Sequence, residues 1–213
     1  MGTEPGLRER KKQQTRQSIA DTARALFAER GFDRVTVAEV ARAANVSEAT
    51  VFNYFPTKED LVFSGLEAFE GALLGAVRDR APGESIVAAF GRFVAQPRGL
   101  LRSTDPETVR ELAGITRAIA ESPALLARER QIFDRYTRSL AELIAGETRV
   151  RPDDVVPWVV AHALMGVHRA LLEYVRRQVH AGRSGPPLAR AVRARADRAI
   201  AVLAKGLADV GTA

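Results

Sequence analysis

The segment Val35–Leu61 constrains the fold most strongly, because three helix starts and two tight turns fall within it. It reads VTVAEVARAANVSEATVFNYFPTKEDL. Thr36 followed by Glu39 predicts a capping box, in which the hydroxyl and the carboxylate satisfy backbone N–H groups at the start of a helix. Asn45 tolerates the left-handed backbone in which many helices end, and Ser47 is a favourable cap for the next helix. The spacing therefore predicts two short helices joined by a tight turn.

The second of these helices is amphipathic. Its apolar residues Val46, Ala49 and Val51 are predicted to pack against the first helix. Pro56 ends it, and Thr57 caps a third helix that opens with acidic residues, as the helix dipole favours. The side chains expected to face outward are Glu48, Thr50, Asn53 and Tyr54. The pattern is that of a helix-turn-helix, whose second helix can enter the major groove of DNA.

The same segment resembles the DNA-binding domain of the TetR family of bacterial transcriptional regulators. It matches the second helix, the turn, the recognition helix and the start of the fourth helix of that domain. The preceding run, which ends in LFAERGF, resembles the first helix of the family and the Gly-Phe step that closes it. The resemblance covers residues 10–62. It implies a DNA-binding domain over residues 1–62, and a helical domain over residues 63–213 that dimerises and encloses a small-molecule pocket.

The resemblance also implies which side chains meet DNA. Hydroxyl and ammonium groups at helix ends would hold phosphates, namely Thr36, Tyr54 and Lys58. Base edges would be read by Glu48, Ala49, Thr50 and Asn53. Ser47 and Phe52 complete this surface. Phe52 stands where a tyrosine is usual in the family, and Glu48 places a negative charge where small or basic residues are frequent.

A basic arm precedes the first helix. It comprises Arg8, Arg10, Lys11, Lys12 and Arg16, which could neutralise phosphates and release counterions. The alternative is a solvated leader that only aids solubility. The formal net charge of +6 suits a polyanionic partner, although arginines are also frequent near the C-terminus.

Beyond this segment the periodicity is helical and strand alternation is missing, which predicts an all-α chain of about nine helices. The first should run from about Arg10 to Arg30, with Gly31 at its C-cap and an unstructured stretch over residues 1–7. A second long one should run from Thr57 to Pro82, and the last should begin at Leu188. No signal peptide or transmembrane stretch is evident, and cysteine is missing, which favours a cytoplasmic protein without membrane contact.

Two sets of residues are candidates for the functions implied for residues 63–213. Large side chains that could line a pocket for a small apolar or amphipathic effector are Phe93, Phe133, Tyr136, Trp158, His162, Met165 and Tyr174. Apolar stripes that could form a homodimer interface include Val156, Val160, Val167, Leu171, Val192, Ala199 and Leu203. The alternative for both sets is packing as ordinary core, which is the preferred interpretation for any single pocket residue but not for the interface stripes.

Other classes of protein are less consistent with the sequence. His162 and His168 are six residues apart, on different helix faces, and no metal or other cofactor is expected. Nucleophile-elbow, phosphate-loop, dinucleotide and zinc-protease motifs are missing, so an enzyme is not expected. Two alternatives remain: a helical protein that binds any duplex DNA, and a small-molecule-binding helical protein without a DNA function. The preferred interpretation is a ligand-released repressor that binds a pseudo-palindromic duplex operator as a dimer.

Overall fold

The regular structure of the described residues is helical. The computed structural model describes residues 6–96, 103, 105–148, 150–151 and 153–206, and within them it has ten helices and no strand. The helices are α1 (Leu7–Arg30), α2 (Val37–Ala43), α3 (Glu48–Tyr54), α4 (Lys58–Val62), α5 (Leu66–Arg78), α6 (Ile86–Val94), α7 (Pro106–Glu121), α8 (Pro123–Thr148), α9 (Val156–His180) and α10 (Gly185–Gly206). The all-α class predicted from the sequence is therefore confirmed.

The described residues contain ten helices where the sequence predicted about nine, because the helix expected from Thr57 to Pro82 is interrupted. α4 ends at Val62, and the backbone leaves the helical conformation at Phe63. Gly65 has a φ of 91°, a left-handed conformation that glycine adopts without steric cost, and α5 begins directly after it.

The first and last helices begin earlier than predicted. α1 starts at Leu7, so the basic residues that follow it lie in helical turns rather than in an extended arm. Of the stretch expected to be unstructured, residues 1–5 lie outside the described residues. α10 starts at Gly185, because two prolines are well tolerated in the first turn of a helix, where their missing N–H groups have no helical partner.

The chain divides into two compact units. The first contains the residues up to Ser64 together with Arg110–Leu126, and the second contains Gly65–Val109 and the residues from Ala127 onward. α7 and α8 each contribute residues to both units.

The first unit has a core made from one face of α1, the helix-turn-helix, α4, the later part of α7 and the start of α8. Its fully buried members include Ile19, Phe27, Val40, Leu61 and Leu125. Phe27 and Phe32 pack with their ring centroids 5.1 Å apart. Gly31 ends α1 with a φ of 83°, which confirms the predicted C-cap.

The second unit packs α5, α6, α9 and α10 together. Phe90, Leu140, Leu164 and Ala196 are fully or almost fully buried there. The pair Glu129 and Arg176 joins α8 to α9 through two hydrogen bonds. Within the described residues, no helix is both long and apolar enough to cross a lipid bilayer.

Candidate functional site

The helix-turn-helix forms as its capping residues dictate. The hydroxyl of Thr36 accepts a hydrogen bond from the backbone N–H of Glu39 at 3.2 Å, and the backbone N–H of Thr36 donates to the Glu39 carboxylate at 2.8 Å. Asn45 has a φ of 55° in the turn, and the N–H of Val46 closes the turn on the carbonyl of Ala41 at 2.9 Å. The predicted capping box and left-handed asparagine are both confirmed.

Glu39 also ties the start of α2 to the end of α1. The backbone N–H of Thr36, a hydrogen bond from Arg30 and the hydroxyl of Thr36 together lower the pKa of Glu39 from 4.5 to about 2. The Nη2 atom of Arg30 donates to Oε1 of Glu39 at 2.6 Å. The carboxylate is therefore ionised across the neutral range.

Helix α3 presents one polar and aromatic face outward. Its inner face is anchored by Val51, and Phe55 at its C-cap is also buried. The exposed residues of the helix are Glu48, Ala49, Phe52 and Asn53, and those half-buried are Thr50 and Tyr54. The prediction that Ala49 packs against the preceding helix is wrong, because at the second position of α3 it points away from the core.

The hydroxyl groups at the start of α3 hydrogen-bond to each other. Ser47 caps the helix by accepting from the backbone N–H of Thr50 at 3.1 Å, and the two side-chain oxygens are 2.8 Å apart. This pairing fixes the rotamer of Thr50. Within the described residues, neither the Asn53 amide nor the Glu48 carboxylate has a hydrogen-bond or ion-pair partner, so both are available to a ligand.

The residues expected to hold phosphates differ in their surroundings. Thr36 is exposed, and its hydroxyl donates to Glu39 at 2.9 Å. The ammonium of Lys58 is half-buried, donates to the carbonyl of Phe32 at 2.7 Å and lies 4.1 Å from the centroid of the Phe32 ring. Burial lowers the pKa of Lys58. Lys58 thus stabilises the α1–α2 connection with one of its three N–H donors, which the sequence did not indicate.

The basic residues of α1 fall into two groups. Lys11 and Lys12 are exposed, as are Arg8 and Arg10. Arg16, one helical turn further on, instead donates from Nη1 to the carbonyl of Tyr54 at 2.9 Å.

Four of the seven candidate effector residues are buried in the second unit, namely Phe93, Phe133, Tyr136 and Met165. Phe69 and His168 join them. The Phe69 ring lies 5.4 Å from Phe93, 5.7 Å from Tyr136 and 5.0 Å from His168, and His168 lies 5.5 Å from Phe133. We call the five residues whose rings contact one another, Phe69, Phe93, Phe133, Tyr136 and His168, the aromatic cluster. Phe69 and His168 were not among the residues predicted from the sequence to line a pocket.

The other three candidates lie elsewhere. Trp158 is 44% exposed and His162 is also exposed, so neither lines an enclosed pocket within the chain, contrary to the prediction. They pack against each other with ring centroids 6.4 Å apart on the outer face of α9. Tyr174 is half-buried, with the Arg195 guanidinium 4.1 Å from its ring centroid. The helical spacing of apolar residues does not show which face of a long helix packs against the core of the chain.

The prediction of the dimer interface is partly wrong for the same reason, since helical spacing did not show which face of each helix is buried. Val160, Leu171 and Val192 are at most 7% exposed in a single chain, so they pack within it and cannot meet a partner. Val167, Ala199 and Leu203 are half-buried. The exposed apolar surface is formed instead by Val155, Val156, Trp158 and Val159 at the start of α9, and we call it the α9 patch.

These observations define a class of protein. A capped helix-turn-helix with an outward-facing second helix, joined to a larger all-helical unit, is the architecture of a DNA-binding transcriptional regulator. In the described part of the chain, no three His, Cys, Asp or Glu side chains come together as a metal site.

Comparison with known proteins agrees with this class. Residues 19–64 match the family described as bacterial regulatory proteins, tetR family, and residues 84–208 match the MftR C-terminal domain. The HTH-type transcriptional regulator TcmR of Streptomyces glaucescens is 30% identical over 70% of this chain and 67% of its own. The HTH-type transcriptional regulator LuxR of Vibrio harveyi is 53% identical over 47 residues, which is 22% of this chain and 23% of its own.

Solved structures share the fold. Salmonella enterica GusR superposes with a TM-score of 0.54 at 20% identity, over 90% of this chain and 94% of its own. The chain belongs to the TetR family of bacterial transcriptional regulators. It is a DNA-binding regulator, and members of this family are not enzymes.

Proposed function

We propose that this regulator is a repressor that binds a pseudo-palindromic operator as a homodimer and releases it when a small apolar or amphipathic molecule binds. Residues 1–62 would read DNA, and residues 63–213 would dimerise and bind the effector. We favour repression because a dimer bound to an operator blocks the access of other proteins to that stretch of duplex. A regulator with this function would act in the cytoplasm, where bacterial DNA lies.

The observation that carries the proposal is the outward face of α3. Its exposed amide and carboxylate have the donor and acceptor chemistry of base readers. An amide such as that of Asn53 can bond to the N6 and N7 atoms of adenine, and the carboxylate of Glu48 can accept from N4 of cytosine. With its hydroxyl held by Ser47, Thr50 can offer its methyl group to thymine, as can Ala49.

Phosphate contacts would fix the register of this helix on the duplex. Lys11 and Lys12 are exposed cations on α1, and Tyr54 bears a hydroxyl group at the end of α3. The Thr36 hydroxyl already donates its proton to Glu39, so it could reach a phosphate only by giving up that bond. Lys58 uses one N–H donor on Phe32, so two donors remain for a phosphate oxygen. The exposed ring of Phe52 offers apolar contact where a tyrosine hydroxyl would bond to phosphate.

The α9 patch supports dimerisation. Its four members are 44–67% exposed, and the exposed Gly166 and Ala170 continue the same face of α9 with small side chains. Exposed apolar surface is stabilised when a second copy covers it, and small residues let two helices approach closely. Of the residues predicted from the sequence, Val156 belongs to this patch and Val167 lies further along the helix.

The aromatic cluster supports an apolar effector. The rings of Phe93, Phe133 and Tyr136 are buried in the second unit, and those of Phe69 and His168 are half-buried. Pockets for small molecules are lined mainly by apolar and aromatic side chains. A ligand shifts the equilibrium only by its differential affinity for the two states of the dimer, so a coupling of about 1–3 kcal/mol would lower operator affinity about 5- to 150-fold.

The experiment is a footprint of the full-length protein upstream of neighbouring genes, repeated with candidate metabolites. We expect one protected site with two symmetric halves, and loss of protection with the effector. Asn53→Ala should weaken that protection, whereas Gln131→Ala, which removes an exposed amide from the second unit, should leave it unchanged. Uniform coating of any duplex would favour an architectural protein. Metabolite binding without any footprint would favour a helical binder without a DNA function.

A further inference from the structure

Arg16 connects the first helix to the end of the reading helix. Its Nη1 atom donates to the carbonyl oxygen of Tyr54 at 2.9 Å, and its guanidinium carbon lies 4.7 Å from the centroid of the Phe55 ring. The residues are 38 positions apart in sequence, and Arg16 is half-buried. The contact is therefore a tertiary one between α1 and the C-terminus of α3.

Helix α3 needs such a contact because it is short. It has seven residues, and a helix of two turns is unstable in water without tertiary support. Ser47 satisfies its N-terminus, and Val51 anchors its middle. Its last turn contains no basic residue, and the final carbonyls of a helix lack internal partners. The guanidinium supplies both a donor and a positive charge at the negative end of the helix dipole.

We propose that Arg16 is a positioning residue for DNA reading. It sets the orientation of the last turn of α3, which carries Asn53 and Tyr54, rather than contacting a phosphate itself. Stacking on buried Phe55 holds the guanidinium plane in place. The inference rests on the proposed reading of bases by α3, and it adds a residue of α1 that determines specificity without touching a base.

The same substitution at two arginines of α1 distinguishes a residue that positions α3 from a residue that contacts phosphate. Arg16→Met removes the donor and the charge but keeps the apolar length of the side chain. Arg10→Met is the matched change at an exposed arginine of the same helix. Affinity for the operator and for a scrambled duplex would be measured over a range of salt concentrations.

A phosphate contact and a positioning contact leave different signatures. Arg10→Met should lower the salt slope by about 1.8, because the bound dimer loses two phosphate contacts, and it should leave the ratio of operator to scrambled affinity unchanged. Arg16→Met should lower the ratio of operator to scrambled affinity about 10-fold, as expected for the loss of a charged hydrogen bond. It should change the salt slope by less than half of the change seen for Arg10→Met. A slope lowered by about 1.8 for Arg16→Met, with the ratio intact, would overturn the inference.

Hydrogen exchange of the free protein gives a second readout that needs no DNA. Amides of residues 52–55 should exchange about 10-fold faster in Arg16→Met and at the parental rate in Arg10→Met. Unchanged exchange in Arg16→Met would also overturn the inference. If Arg16→Met is too unstable to purify, Arg16→Lys replaces it, because lysine has no planar guanidinium to place over Phe55. Arg16→Lys should show a smaller increase in the exchange rate at the same amides. Exchange at the parental rate in Arg16→Lys would count against the inference. A failed footprint with accelerated exchange would refute the proposed DNA reading but not the positioning of α3.

Discussion

Gly114→Ala should destabilise the DNA-reading unit, although alanine is the better helix former. Gly114 lies in α7, in the part of that helix that packs on α1 within the first unit. A Cβ atom added there would lie 2.6 Å from the Cα, Cβ and carbonyl oxygen atoms of Ala28. Because these atoms belong to the backbone or lie next to it, no side-chain rotation can relieve the clash.

The size of the effect follows from these distances. Carbon atoms pack best at about 3.5–4.0 Å, so α1 and α7 would have to separate by about 1 Å. Overpacking of this kind costs about 1–3 kcal/mol, and replacing a helical glycine by alanine returns about 0.5–1 kcal/mol. We expect a net loss of about 1–2 kcal/mol in the free energy of unfolding.

Gly71→Ala is the matched control. Gly71 is an exposed residue in the middle of α5, and an added Cβ atom would have no neighbour within 4 Å. It should therefore gain about 0.5–1 kcal/mol from helix propensity alone. Urea unfolding at one fixed protein concentration would measure both variants, since dimerisation makes stability depend on concentration. If Gly114→Ala is stabilised as much as Gly71→Ala, the close packing of α1 against α7 is refuted.

Three further predictions concern the cap, the base contacts and the dimer. The pKa of Glu39 is depressed to about 2, so its stabilising effect is present above its ordinary value of 4.5 and is lost as the pH falls from there towards 2. Glu39→Gln should flatten the acid limb of a stability-versus-pH curve, and an unchanged limb would contradict this. Asn53→Ala should lose about 1–3 kcal/mol of discrimination at one base pair, measured with single-substitution operators; equal loss at every position would contradict base reading. Val156→Glu combined with Val159→Glu should give folded monomers in light scattering, whereas intact dimers would exclude the α9 patch.

The helix-turn-helix could be predicted from the sequence because its determinants are local. Thr36, Asn45, Ser47 and Thr57 act within four residues of themselves, so their effects do not depend on the rest of the fold. Local propensity, capping and turn chemistry all favour the same structure there.

The second unit was harder to predict because its faces are chosen by tertiary packing. A long helix such as α9 has apolar residues on more than one side, and the sequence does not say which side meets its own chain. Val160 is therefore buried in the core and Val159 is exposed, although the two valines are consecutive in the sequence of α9. The roles of Arg16 and Lys58 were missed for a related reason, since a long cationic side chain can bond to a distant carbonyl as readily as to phosphate.

The most direct test of the central claim is selection of binding sites from random duplex DNA by the full-length protein. We predict enrichment of an inverted repeat, because two copies of α3 related by the dimer two-fold read two half-sites. Repeating the selection with Asn53→Ala should relax the preference at one position in each half-site, and at the same position in both. Enrichment of no sequence, or a preference that Asn53→Ala leaves unchanged, would contradict the claim that α3 reads an operator.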